Sequence, residues 1–230
     1  MAIKIEKGGS TEIKIGKFFV GLGWTVREDA SAKYDFDLDV SAFMVDASGK
    51  IPTDDYLVFY NSEKRLRVND RGELIKPLKI VPYTEWTSND DMRAESRPVD
   101  PEISVIGSLD DEGDENHKDD DDAETIDIEL AKVRPDIEKI IICVSIYDAK
   151  NRKQNFGQVE NSYVRIYTEG HDARGQEEII YDLTEDFSTC ASIEFVQLYR
   201  YKGSWKVKAL GVGHKGEFDE LVAKYTQYGN

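Results

Sequence analysis

The chain has 230 residues, 40% of them hydrophobic and 10% aromatic, enough to bury one sizeable core. Its 46 Asp and Glu against 30 Lys and Arg leave a formal charge of −16, which argues against nucleic-acid binding and favours cations or basic surfaces as partners. No window has the length of an apolar membrane span, and residues 1–6 lack the apolar segment of a secretory signal, so a cytoplasmic protein without membrane insertion is expected.

Residues 2–6 and 12–15 are short alternating runs around Lys7, Gly8 and Gly9, and they predict an opening hairpin. Phe18 to Val26 is the first strongly apolar stretch, anchored by Trp24. Gly21 and Gly23 within it predict a bulge or a close backbone approach. Asp35, Asp37 and Asp39 then alternate with Tyr34, Phe36, Leu38 and Val40, which predicts a strand running to Val45 with its carboxylates on one face. Alternate residues on a strand face stand about 6.5 Å apart, where two carboxylates repel by about 2 kcal/mol at a protein surface. A turn at Asp46–Gly49 follows, and the apolar run from Tyr56 to Tyr60 predicts a strand at the centre of a sheet.

Residues 62–101 are rich in charge, carry Pro77, Pro82 and Pro98, and predict an excursion with one added hairpin. Ile103 to Ile106 predicts a strand leading into a second acidic stretch. From Asp110 to Glu124 there are ten carboxylates against one Lys and one His. Thr125 to Leu130 alternates again, and Lys139 to Tyr147, the most β-branched segment, predicts a central strand. Further strands are predicted at 159–167, 177–183 and 192–200, with a final hairpin from Leu198 to Leu210 turning at Lys202 and Gly203. Phe218, Leu221, Val222 and Tyr225 form the apolar stripe of a helix, with Glu217, Asp219 and Glu220 in its first turn. Nine or ten short strands and one terminal helix predict a mainly β fold, a two-sheet β-sandwich with acidic metal-binding loops and a C-terminal helix. Cys143 and Cys190 lie in apolar stretches and read as small buried hydrophobes of a reducing compartment.

Crowded carboxylates are relieved by a hard divalent cation, and Ca²⁺ accepts six to eight oxygen ligands in forgiving geometry. Asp35, Asp37 and Asp39 are therefore candidate ligands, although a solvated strand face and a disordered acidic loop are the simpler readings. An EF-hand is excluded, because Val40 stands where the turn glycine belongs and Asp46 where the bidentate glutamate belongs. His117, His171 and His214 are scattered and no Cys-x-x-Cys occurs, which disfavours a transition metal. Neither a nucleophile elbow nor a phosphate-cradling loop is found.

Several strings together resemble the TerD-like tellurium-resistance and stress-response proteins over nearly the whole chain. They are residues 7–9, 20–24 (Val-Gly-Leu-Gly-Trp), 36–39 with 41–43, and 58–61. Residues 154–159 (Gln-Asn-Phe-Gly-Gln-Val), 181–183, 185–189, 198–200, 205–206 and 211–213 continue the match. The resemblance implies a single cytoplasmic domain spanning residues 1–230, with an insertion at about 62–101, that binds Ca²⁺ through acidic loops and has no enzymatic activity. It also implies resistance to tellurite, phage and toxins, and partners among other Ter-type stress proteins and a membrane protein. On this pattern Asp110, Asp111, Asp114, Asp121, Asp122 and Glu124 join Asp35, Asp37 and Asp39 as metal ligands, with Asp37 and Asp122 facing each other across one site. Asp110, Asp122 and Glu124 match the family positions. A family glycine is lost at Leu109, and Ala123 replaces a ligand-type aspartate. The other classes compatible with the sequence are a metal-free interaction domain and a metal-dependent enzyme.

Overall fold

The computed structural model describes residues 2–27, 36–109, 122–171, 173 and 175–227. The first strands are β1 (Ile3–Lys4), β2 (Ser10–Ile13), β3 (Lys17–Val26), β4 (Leu38–Val45) and β5 (Leu57–Val58). A charged stretch then forms β6 (Lys64–Arg67), β7 (Ile80–Pro82), helix α1 (Asn89–Ala94) and β8 (Ser96–Pro98). Next come β9 (Val105–Ile106), β10 (Glu124–Glu129), β11 (Lys139–Ile146), the short helix α2 (Ala149–Arg152) and β12 (Val159–Tyr167). The last elements are β13 (Ile179–Asp182), β14 (Ser192–Tyr201), β15 (Ser204–His214) and α3 (Phe218–Tyr225).

Two six-stranded sheets result. The first has the order β1-β13-β12-β3-β10-β9 and the second β2-β15-β14-β11-β4-β5. Period-two patterning explains their pairing across a shared core. In β10, Ile126 and Ile128 turn inward while Thr125 and Asp127 turn out, and in β15 Trp205, Val207 and Ala209 are buried between Lys206 and Lys208. Val20, Leu22 and Val164 of the first sheet join Val40, Leu198 and Val207 of the second in one apolar cluster.

Four expectations need correction. The opening segment is not a hairpin: β1 pairs parallel with β13 in the first sheet, and β2 pairs antiparallel with β15 in the second. The turn containing Gly8 (φ 79°) carries the chain between sheets, so that Ile5 and Ile13 both enter the shared core. Burying each is worth about 1.5–3 kcal/mol, more than a two-strand ribbon would gain from pairing on itself.

Residues 56–60 do not lie at a sheet centre either. Only Leu57 and Val58 are strand, at the rim of the second sheet. They are apolar because the segment is covered: Phe59 stacks on Phe218 of α3 with ring centroids 5.1 Å apart. The acidic strand begins at Leu38, so Asp37 precedes it and Asp35 lies outside the described residues.

The β-branched segment does occupy an interior position, as β11 between β14 and β4. It reads as a continuous apolar run because α3 covers the outer face of this sheet, with Phe43 5.0 Å from Tyr225. In the last hairpin Lys202 (φ 51°) and Gly203 (φ 82°) form the expected two-residue turn. Between residues 64 and 98 there is more than one hairpin: a third sheet in the order β7-β6-β8. Buried Arg65 holds it to its surroundings, donating to Tyr60 O at 2.7 Å and to Ser96 Oγ and O at 2.6 and 2.9 Å.

Candidate functional site

Both acidic stretches leave from and return to one end of the sandwich. Strand β3 finishes there at Val26, β4 starts at Leu38, β9 runs toward it and β10 starts at Glu124 opposite Leu22. Thr125 N donates to Ser108 Oγ at 3.2 Å, closing the roots of the second stretch, and Tyr147 N donates to Asp37 O at 2.8 Å, fixing the root of the first. Of the nine candidate ligands, Asp35, Asp110, Asp111, Asp114 and Asp121 lie outside the described residues. The other four occupy different environments.

Asp37 is half-buried, with its carboxylate 3.9 Å from Arg152 Nη1. Asp39 pairs in register with Ser145 of β11. Glu124 shares the inward face of β10 with Ile126 and Ile128 and is buried at the mouth of the core. Among the described residues, no three His, Cys, Asp or Glu side chains come together as a metal-holding group.

Asp122 is engaged by two side chains of β12. Arg165 Nε and Nη2 donate to its two oxygens at 2.7 and 2.8 Å, and Tyr163 Oη donates at 2.9 Å. The side chains of Arg165 and Asp122 are only 2% and 5% exposed. Burial disfavours the Arg165 charge, but the Asp122 carboxylate outweighs it and raises the guanidinium above its ordinary pKa. Below the pair, Arg165 lies 4.3 Å over the Tyr167 ring, which itself stacks on Phe19 at 5.3 Å. Burial pushes the Tyr167 hydroxyl up to about 12.

This cluster explains the two glycines of β3. A Cβ at Gly21 would stand 2.0 Å from Asp122 Oδ2, and one at Gly23 would stand 2.2 Å from the Tyr163 ring. What approaches the strand is thus a pair of side chains rather than another backbone. Gly21→Ala is expected to cost about 2–3 kcal/mol by forcing Asp122 out of its pair. Gly16→Ala, where nothing lies within 4 Å, is the control. Urea melts of the two variants measure the difference, and equal midpoints would contradict the packing described.

The sequence reading missed Arg165 and Tyr163. An Arg amid the apolar run Tyr163–Tyr167, in a chain with two glycines on another strand, was the available signal. It also missed Glu194, a buried carboxylate remote in sequence from both acidic stretches. Glu194 accepts from Tyr225 Oη at 2.7 Å, lies 2.6 Å from His214 Nε2 and is paired with Lys224. Asn155 and Gln158, part of one family string, serve a turn: Gly157 N donates to Asn155 Oδ1 and Asn155 N to Gln158 Oε1. Cys143 is buried, Cys190 is half-buried and both are free thiols.

Comparison with known proteins bears on the whole chain. The TerD domain matches residues 1–71 and 99–225. The tellurium resistance protein TerD of an Alcaligenes species is 32% identical over 231 aligned residues, covering 98% of this chain and 97% of that protein. General stress protein 16U of Bacillus subtilis is 31% identical over 230 residues, covering 98% and 97%. A crystal structure of a homologue of telluride resistance protein (TerD) from Streptomyces coelicolor superposes with a TM-score of 0.54 at 17% identity, covering 94% of this chain and 98% of that one. At that identity the likeness concerns the fold.

Proposed function

Because the chain belongs to the TerD family, whose members are named for tellurium resistance and general stress, we propose that it is a calcium-binding, non-enzymatic stress-response module of the cytoplasm. One observation above all supports the metal reading: Asp37, Asp39 and Glu124 stand at the roots of both acidic stretches, at the same end of the sandwich. Asp35, Asp110, Asp111, Asp114 and Asp121 supply the remaining oxygens in this proposal. Asp122, engaged by Arg165, acts chiefly by fixing where the second stretch enters β10. Contacts with other Ter-type stress proteins and a membrane partner belong to this proposal; no helix of the described residues is long and apolar enough to cross a membrane. A single domain with an insertion at about 62–101 is part of the same proposal; residues 72–98 lie between the two matched parts of the family domain.

Calcium at about a hundred times its Kd is expected to stabilise the fold by about 2.7 kcal/mol through mass action. The melting temperature should rise with Ca²⁺ and fall back with chelator. Mg²⁺ should do less, because it demands a tight octahedron and gives up water reluctantly. Asp37→Ala is expected to weaken calorimetric Ca²⁺ affinity, since it removes an oxygen donor. A melting temperature indifferent to Ca²⁺ would overturn the metal reading and favour a metal-free interaction domain.

A further inference from the structure

Helix α3 covers only part of the outer face of the second sheet. Over β4 it places Phe218 6.1 Å and Tyr225 5.0 Å from Phe43. Toward the β14–β15 hairpin the same face carries a different set of side chains. The register puts Lys139, Tyr199, Lys206 and Glu12 in one row across four strands, with Gln197, Lys208 and Ser10 in a neighbouring row. Cross-strand partners project from one face. Their alternates Leu198, Trp205 and Val207 are in the core, so this set faces solvent. At the hairpin tip Tyr201 is 46% exposed, with the ammonium groups of Lys202 and Lys206 5.3 and 5.0 Å from its ring.

The face contrasts with the rest of the molecule. Residues 197–210 hold four basic residues and no acidic one, in a chain of charge −16. Lys4, Lys64, Lys132 and Lys224 each sit in an ion pair with a carboxylate. Among the described residues, Lys139, Lys202, Lys206 and Lys208 do not. Of the acids at this end, Glu129 is paired with Lys132, Asp136 with Arg134 and Asp55 with Lys64, while Glu12, Asp46 and Glu138 are in no ion pair among the described residues and lower the local positive charge.

Distance decides whether the net charge matters here. Strand β11 runs from Lys139 at this end to Ile146 at the acidic end, a span of about 23 Å at roughly 3.3 Å per residue. The Debye length at physiological salt is about 8 Å, so the acidic end is screened from a surface that meets the hairpin tip.

We propose that the lysine and tyrosine face at the β14–β15 hairpin is a peripheral docking surface for a membrane carrying anionic lipid headgroups. A planar anionic surface meets the four ammonium groups together while the acidic end points away along the strands. The lysines reach headgroup phosphates on flexible stems, and Tyr199 and Tyr201 present amphipathic rings suited to the headgroup layer. A flexible polyanion could follow the protein beyond this face and would then meet its carboxylates.

The test uses the full chain with a chelator present, so that no calcium-bridged contact is read. Phosphatidylcholine vesicles with and without phosphatidylglycerol are sedimented with the protein. Binding is expected only with phosphatidylglycerol, and it should fall as salt rises. Lys202→Gln with Lys206→Gln should weaken it about twenty-five-fold, about fivefold for each lysine, at an unchanged melting temperature. Equal binding to both vesicle types, or wild-type binding by the double variant, would overturn the proposal. So would a double variant that instead loses self-association or single-stranded oligonucleotide binding, which would assign the face to a second copy or to nucleic acid.

Discussion

Asp122→Ala is expected to destabilise the protein by about 3–5 kcal/mol, because it takes the two-point carboxylate partner away from a buried guanidinium. Arg165 is 2% exposed and its Nε and Nη2 both donate to Asp122, so water cannot readily replace the lost carboxylate. The pair is not thereby a large net source of stability, since desolvation offsets most of its attraction. The double variant Asp122→Ala with Arg165→Leu should therefore recover part of the loss. Urea unfolding of the two single variants and the double closes the cycle. The cycle should be run in chelator, where calcium makes no contribution. A loss that appears only in the presence of Ca²⁺ would show that Asp122 acts as a ligand and that the structural role given to it is wrong.

Glu194→Gln is expected to cost about 2–3 kcal/mol near neutral pH, through loss of charge-assisted hydrogen bonds beneath α3. Strand β14 shifts register between Glu194 and Val196 against β15, and at this irregularity a carboxylate turns toward the helix. There it meets Lys224 and Tyr225 of α3 and His214 of β15. Burial pushes the Glu194 carboxyl up, but hydrogen bonds from Lys224 and Tyr225 outweigh it and hold the group below its ordinary 4.5. A carboxylate lowered in the folded state contributes stability above its unfolded pKa and loses it as pH falls through the folded value. The gap between wild type and Glu194→Gln should thus be full near pH 7 and shrink as pH falls below about 4.5. Asp100 works in the opposite direction: desolvation raises it despite hydrogen bonds from Val105 and Ser104, and subtracting the variant from wild type cancels that contribution. A gap that stays constant into acid would refute the account. A loss of helical signal in Glu194→Gln would place the damage at α3.

The strand pattern was largely legible because alternation survives wherever one face is buried and the other is wet. Strands β10 and β15 show it residue by residue. It misled where coverage came from elsewhere. Residues 56–60 are apolar because a helix from the far end of the chain lies on them, and a short window cannot register a contact about 160 residues away. Residues 2–15 looked like a ribbon because each half alternates, yet the two halves belong to different sheets. Of the candidate site, the density of carboxylates was legible and their individual environments were not. Asp122 and Glu124 are two positions apart, but one lies in an ion pair with Arg165 and the other is buried with the inward face of β10.

By itself the sequence determined the amount of charge, the periods of its strands, the terminal helix and the family likeness, because these are properties of neighbouring residues or of whole strings. Only the tertiary structure decided which carboxylate meets a cation, why β3 needs Gly21 and Gly23, and which lysines stay unpaired on the hairpin face. The reason is that a charge acts over a few ångströms of space, and strand register brings together residues such as 122 with 165, or 194 with 224, that no local pattern connects.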